Sequence, residues 1–133
     1  MLRLTLFTLL TLFVSALQAR VSSDTTKNIY LEEKPTYQIY TTDNADNFLK
    51  LDTRNGRIWL LQLNNKKEYR FTSPINDVSL IKDNEEEKNG RFILKPTTHY
   101  RRYILFDQTN GKVWQVDWEF DHTKRVLNEI PQE

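Results

Sequence analysis

The sequence predicts an all-β fold: a single antiparallel domain built from two tandem pseudo-symmetric hairpin repeats, forming a small sandwich or a barrel-like arrangement. Three observations predict it. All three glycines lie in Asn-Gly pairs, which favour the positive φ of hairpin turns. Apolar and polar residues alternate after the last of these pairs, as in a half-buried strand. A stretch of the chain also resembles a second stretch 55 residues further on.

Residues 1–19 have the pattern of a secretory signal, with Arg3 before an apolar run and small residues after it. The run is shorter than the ~20 residues that span a bilayer. Cleavage is expected after Ala16, where Val14-Ser15-Ala16 fits the small-residue rule, or after Ala19. The remaining chain, 20–133, is expected to be a single periplasmic or secreted domain with no integral membrane span. It has no cysteine, which fits a bacterial envelope better than a eukaryotic secretory pathway.

Each Asn-Gly pair precedes a β-rich run and predicts one hairpin, three in all. In the last run, Lys112–Phe120, the side chains of Trp114, Val116 and Trp118 fall on one face. The prolines lie between the runs, as turn residues would. The predicted strands are 57–63, 91–94 and 112–120 after the pairs, 48–51 and 103–106 before two of them, and 29–31, 37–40, 68–72, 77–81 and 125–127 elsewhere.

The internal similarity relates residues 37–75 to residues 92–130, which we expect to be pseudo-two-fold repeats, two copies of one unit. Identities concentrate in 51–59 and 106–114, where each copy has an aspartate, a glycine and a tryptophan at fixed spacing. We expect the aspartate to accept turn N–H groups, the glycine to close the turn and the tryptophan to be buried. These structural positions are Asp52, Gly56 and Trp59 in the first copy, and Asp107, Gly111 and Trp114 in the second.

This motif is similar to the blade hairpins of quinoprotein-type β-propellers over about ten residues per copy. The two copies are too few to close a propeller, and the propeller's cofactor is not implied. Over nearly the whole mature chain, the sequence resembles small exported proteins of Gram-negative gut bacteria, which share the aspartate–glycine turn and the tryptophan–glutamine pair seen at Trp114-Gln115. In the first copy Trp59-Leu60 departs from that pair. The resemblance implies location and architecture, not an activity.

Composition excludes several functions. The chain has 19 basic and 18 acidic side chains, so a counterion-driven grip on nucleic acid is not expected. Without cysteine it has no thiolate metal site or cysteine nucleophile. The acidic run 85–87 lacks the spacing of a calcium loop and is interpreted as a solvated turn. Asp121-His122 could orient a base, but no serine lies in a nucleophile motif. We therefore expect no metal, no cofactor and no enzymatic activity.

The function that remains is an exported binding or interaction module that presents loops to a protein or glycan of the cell envelope. The segments before the two hairpins differ most: 41–47 carries two acids, whereas 96–102 carries two arginines. Tyr100, Arg101 and Arg102, with Trp118, are the candidate partner-binding residues, and arginines suit an anionic surface. Alternatively, the two loops lie near each other and their opposite charges only balance, or the loop sequences have drifted. An accessory subunit of a bacterial envelope assembly is the alternative function, and a small hydrolase is less favoured.

Overall fold

The structure, a computed structural model, describes residues 32–133. It is all-β and contains two four-stranded antiparallel sheets. Sheet 1 comprises β1 (Tyr37–Thr41), β2 (Asn47–Asp52), β3 (Ile58–Gln62) and β4 (Phe71–Asn76), with a 3₁₀ turn at Lys67–Tyr69. Sheet 2 comprises β5 (Phe92–Pro96), β6 (Arg102–Asp107), β7 (Val113–Asp117) and β8 (Val126–Glu129), with a 3₁₀ turn at His122–Lys124.

Both sheets are simple meanders whose strands lie in chain order. Every strand and 3₁₀ turn of sheet 2 begins 55 residues after its counterpart in sheet 1. The registers also agree: Lys50 pairs with Trp59 in sheet 1, and Leu105 pairs with Trp114 in sheet 2. The 55-residue relation seen in the sequence is therefore matched strand by strand in two similar tandem sheets. Within residues 32–133 the strands form no closed barrel.

The sheets share one core but bury opposite faces. Sheet 1 contributes the completely buried Leu49, Leu51, Ile58 and Leu60. Their counterparts in sheet 2 point away from the core, and sheet 2 buries the other set, which is Phe92, Leu94, Tyr103, Leu105, Trp114 and Val116. A two-fold axis would bury equivalent positions. The two predicted repeats are confirmed as two similar tandem sheets, and these stack face to back rather than about a two-fold axis.

Polar contacts fix this stacking at both ends of the core. Tyr103 Oη donates to the carbonyl of Thr41 at 2.6 Å, and the backbone N–H of Phe92 donates to the carbonyl of Thr53 at 2.8 Å. At the far edge, the Arg125 guanidinium donates to Ser73 Oγ at 2.7 Å. Since these bonds join residues of both sheets, the two sheets form one packed unit.

The Asn-Gly prediction is only partly correct. Gly56 and Gly111 have φ of 79° and 80°, but each closes a five-residue loop, 53–57 or 108–112, rather than a tight two-residue turn. Asn89-Gly90 forms no hairpin, because it ends the connection between the sheets, and β4 and β5 are not paired. The predicted strand at 77–81 is wrong, since this segment belongs to the same connection.

The prolines and the longest predicted strand also need correction. Pro74 lies inside β4 and Pro96 ends β5. Both are edge strands, where a missing N–H is tolerated. The strand predicted at 112–120 ends at Asp117.

The predicted signal and the strand at 29–31 lie outside the described residues. Within residues 32–133 no helix is long and apolar enough to cross a membrane.

Candidate functional site

The loops that differ most between the two copies meet at one edge of the molecule. The loop after β1 and the loop after β5 are held together because Tyr103, at the start of β6, donates its hydroxyl to Thr41. Between them lies an open cleft of about 200 Å³, here called the inter-loop cleft. Its lining includes Thr42, Asp43, Thr97, His99, Tyr100 and Tyr103.

The backbones of the two loops are closed in the same way although their side chains diverge. Thr42 Oγ1 donates to the carbonyl of Asn47 at 3.0 Å, and Thr97 Oγ1 donates to the carbonyl of Arg102 at 2.9 Å. Each threonine hydroxyl also accepts the N–H two residues further on, a local turn typical of threonine. The two loops therefore have the same pattern of backbone closure but carry different side chains.

Tyr100 is an exposed aromatic side chain of the cleft, with 54% of its surface accessible. Its ring stacks on His99, with centroids 5.2 Å apart and planes 20° apart. The guanidinium of Arg101 lies 4.9 Å from the centroid of the Tyr100 ring, within cation–π distance. The ring is thus oriented by its neighbours while much of its surface stays open.

The two arginines of this loop are already paired within sheet 2. Arg102 binds Asp117 with two hydrogen bonds, of 2.7 and 2.8 Å, and this pairing holds the pKa of Asp117 below its ordinary value. Arg101 forms an ion pair with Glu119. The two loops do lie near each other. The charges of the two arginines, however, are balanced by acids of β7 and of the segment after it, and not by acids across the cleft.

Trp118 lies beneath the loop and not on its surface. It is only 1% exposed, and the Arg101 guanidinium lies 5.7 Å from its ring. A side chain so buried supports the loop, and a contact of Trp118 itself with a partner stays a prediction. Among the described residues, neither Trp118 Nε1 nor Arg101 Nε has a hydrogen-bond acceptor, which leaves two buried donors below the loop.

Tyr103 forms the floor of the cleft. Burial, and to a smaller extent the nearby carboxylate of Asp43, raises the pKa of its phenol. The hydroxyl therefore stays protonated at neutral pH and serves as the donor that joins the two loops. Asp43, which is exposed, adds a carboxylate at the opposite wall of the cleft.

The aspartates that the two copies of the motif share stabilise the turns. Asp52 Oδ1 accepts the N–H of Arg54 at 3.0 Å, and Asp107 Oδ1 accepts that of Thr109 at 2.9 Å. Burial acts to raise the pKa of Asp52, but the hydrogen bonds and charge of Arg54 outweigh it and lower that pKa. The two aspartates cap their own loops, as expected from the sequence.

The tryptophans of the motif have different environments. Trp114 is 5% exposed and lies in the core, 6.1 Å from Phe92 between ring centroids. Trp59 is only partly buried, because its side of sheet 1 faces away from sheet 2. The expectation that both tryptophans are core residues is therefore wrong for Trp59.

Sequence reasoning missed a buried ion pair beside the second hairpin. The side chains of Arg91 and Asp107, 3% and 0% exposed, lie 2.7 Å apart between Nη2 and Oδ2. Glu85 approaches the same guanidinium at 2.5 Å, and Glu87 accepts from Asn55 Nδ2 at 2.8 Å. The acidic run 85–87 is therefore more than a solvated turn. No local pattern links residues this far apart, so the sequence carried no signal for the pair.

The carboxylate of the candidate acid–base pair, Asp121, is used by the local turn. Asp121 accepts hydrogen bonds from the N–H and the hydroxyl of Thr123, at 3.0 and 2.7 Å, and these lower its pKa. It caps the 3₁₀ turn that contains His122. Within residues 32–133 no three His, Asp or Glu side chains cluster so that they could hold a metal ion.

Comparison with protein-family models, with curated protein sequences and with solved structures gave no match. The functional conclusion therefore depends on the geometry of this chain alone.

Proposed function

We propose that the chain is an exported interaction module that binds a protein or a glycan of the cell envelope at the inter-loop cleft. The observation that carries this proposal is Tyr100, which keeps 54% of its surface exposed at the rim of the cleft while neighbouring groups fix its ring. A fixed tyrosine offers an apolar face and a polar tip at little entropic cost on binding, which suits both classes of partner.

The groups around Tyr100 indicate what a partner would contact. The hydroxyls of Thr42 and Thr97 are used in their own loops, whereas the Asp43 carboxylate lies exposed at the opposite wall. A partner that lays an apolar surface on the Tyr100 ring and donates a hydrogen bond to Asp43 would use both sides of the cleft.

The ion pairs of Arg101 and Arg102 disfavour an anionic partner at this loop. An anionic group would have to compete with Glu119 or Asp117 for these guanidinium groups. A partner bound through the tyrosine ring and neutral polar groups leaves both pairs intact. The arginines then contribute mainly by holding the loop in its binding shape, a form of preorganisation.

The experiment is an affinity capture from envelope extract with the purified protein as bait. Wild type is compared with Tyr100→Ala, and Tyr69→Ala is the matched control because Tyr69 is an equally exposed tyrosine, at 54%, outside the cleft. We expect Tyr100→Ala to lose the captured partner and Tyr69→Ala to retain it. Protease treatment of the extract removes a protein partner, and periodate treatment removes a glycan. Equal capture by wild type and Tyr100→Ala would contradict the proposal.

A second candidate function, an accessory subunit of an envelope assembly, is favoured by a different observation. Each sheet carries large apolar side chains on the face that points away from the core, including Ile39 at 53% and Ile104 at 37% exposed. Exposed apolar surface of this kind often marks an interface between proteins. The assembly partner of such a subunit would be captured equally by wild type and by Tyr100→Ala, because Ile39 and Ile104 do not line the cleft.

A further inference from the structure

The outer face of sheet 1 has nearly the same pattern of apolar residues as the face that sheet 2 buries in the core. We define this outer face by six positions, and each lies 55 residues before a core residue of sheet 2. Five of the six are apolar or aromatic, as are all six core counterparts. The outer-face residues are Tyr37, Ile39, Phe48, Lys50, Trp59 and Leu61; the core counterparts are Phe92, Leu94, Tyr103, Leu105, Trp114 and Val116.

The outer face of sheet 2, in turn, has nearly the same pattern of apolar residues as the face that sheet 1 buries in the core. Ile104, Phe106 and Val113 lie 55 residues after Leu49, Leu51 and Ile58, which are completely buried. Gln115 takes the position of Leu60, and it is the polar member of this set. All four outer side chains retain solvent exposure, with Ile104 at 37%.

These two relations make the contact inside the chain a heterologous one. One face of the repeat unit binds the opposite face of the next unit, as happens in head-to-tail assemblies. A stack of two such units uses one copy of each face and leaves one copy of each at its ends. In the described part of the chain, these two end faces therefore match each other by the same residue pattern that holds the two sheets together.

The free face of sheet 1 differs from its buried counterpart at Lys50. Its Nζ lies 4.5 Å from the Trp59 ring centroid and 5.7 Å from that of Tyr37, so the lysine lies over these rings. Long lysine side chains can cover apolar surface while their charge remains in water. Lys50 and Gln115 are the polar departures, one on each face, and the contact they would form is weaker than the all-apolar one inside the chain.

We propose that a second copy of this chain occupies these faces, with the outer face of sheet 2 of one copy packed on the outer face of sheet 1 of the next. This continues the established interface between the sheets. Heterologous contacts close into rings when the rotation permits, and rings of radial four-stranded sheets typically contain about four to eight of them. With two sheets per chain, the expected assembly is a ring of about two to four copies.

The test measures mass in solution by light scattering and sedimentation over a range of protein concentrations. We expect the wild type to form an oligomer, and Ile39→Arg and Ile104→Arg each to reduce it to smaller species while the circular dichroism spectrum is kept. Both side chains are exposed in the single chain, so folding should survive. Val78→Arg is the matched control, because Val78 is 64% exposed and lies in the connection between the sheets.

Mixing the two disrupted variants tests the head-to-tail geometry directly. Ile39→Arg keeps a native sheet 2 outer face, and Ile104→Arg keeps a native sheet 1 outer face. A mixture should therefore form a one-to-one pair that neither variant forms alone. A two-fold contact through a single face would not give this result, since one of the variants would then assemble normally.

A third variant tests the same contact in the opposite direction. Lys50→Leu copies Leu105 and should lower the dissociation constant about tenfold, because it adds one buried leucine per contact. A wild type that stays a single chain at every concentration would overturn the proposal and favour a different envelope protein on these faces. An oligomer that survives both arginine variants would overturn it as well. Tyr100→Ala should leave the mass unchanged, so this test is independent of the partner-binding proposal.

Discussion

Trp59 and Trp114 occupy the same position of the repeated hairpin, yet Trp114 lies in the core and Trp59 lies on the outer face of sheet 1. Trp114 is packed against Phe92 and is 5% exposed. Trp59 lies on the outer face of sheet 1 beneath Lys50, 4.5 Å from its Nζ to the ring centroid. The difference arises because the sheets stack face to back, so a given position of the repeat faces the core in only one sheet.

Alanine substitution of these tryptophans should separate the two environments. We expect Trp114→Ala to lower the free energy of unfolding by about 3–5 kcal/mol, as aromatic truncation in a core does. Trp59→Ala should cost about 1 kcal/mol in the single chain, because much of its ring packs against no second layer. Urea unfolding in the Ile104→Arg background, where assembly is disrupted, makes the comparison. A Trp59→Ala variant as unstable as Trp114→Ala would contradict the assignment of Trp59 to an outer face.

The paired glycines Gly56 and Gly111 give a second comparison at matched positions. Both have φ near 80°, where a side chain costs about 1–2 kcal/mol, so Gly111→Ala should destabilise by that amount. At Gly56 a Cβ would also lie 2.8 Å from Leu80 Cδ1 and 3.2 Å from Phe92 Cδ1. Gly56→Ala should therefore cost about 1 kcal/mol more, because Phe92 is fully buried. Equal shifts of the urea midpoint for Gly56→Ala and Gly111→Ala would show that the side chains around Gly56 make room for the added Cβ at no cost.

The sequence predicted the parts of this fold that depend on local patterns. Alternation at Trp114, Val116 and Trp118 correctly placed their side chains on one buried face. Asp52 and Asp107 cap their loops as the turn motif indicated. The similarity between residues 37–75 and 92–130 predicted two similar sheets, because strand starts follow local residue patterns.

The rest depends on packing between segments far apart in the chain. Alternation distinguishes two faces of a strand but does not say which of them meets a second layer, so the exposure of Trp59 could not be read from its motif. Asn89-Gly90 has the same local form as the hairpin glycines, yet it follows a long connection that crosses from one sheet to the next. The carboxylate partners of Arg101 and Arg102 depend on the register of β6 with β7 and on the segment that follows, which a count of loop charges cannot supply.

The buried ion pair between Arg91 and Asp107 leads to a third prediction. Removing one partner of a buried pair typically costs about 3–5 kcal/mol, because the other charge is left without compensation. We therefore expect Arg91→Met to destabilise the protein by that amount. Arg102→Met, which breaks a pair whose arginine is 41% exposed, should cost no more than about 1 kcal/mol. Similar urea midpoints for the two variants would mean that Asp107 finds other hydrogen-bond donors.

The last prediction concerns acid, and it follows from the pair between Arg102 and Asp117. The hydrogen bonds of Arg102 lower the pKa of Asp117 in the folded protein, whereas in the unfolded chain an aspartate titrates near its ordinary value of about 4. The unfolded state therefore binds its proton first as the pH falls, and the stabilisation by this carboxylate is lost below about pH 4. We expect Asp117→Asn to be less stable than wild type at pH 7 and the difference to shrink toward zero in strong acid. Arg102→Met should reduce the same acid-dependent loss, since it removes the cause of the lowered pKa. Thermal unfolding from pH 7 to pH 2 measures both variants, and a difference between wild type and Asp117→Asn that stays constant over this range would contradict the role of the pair.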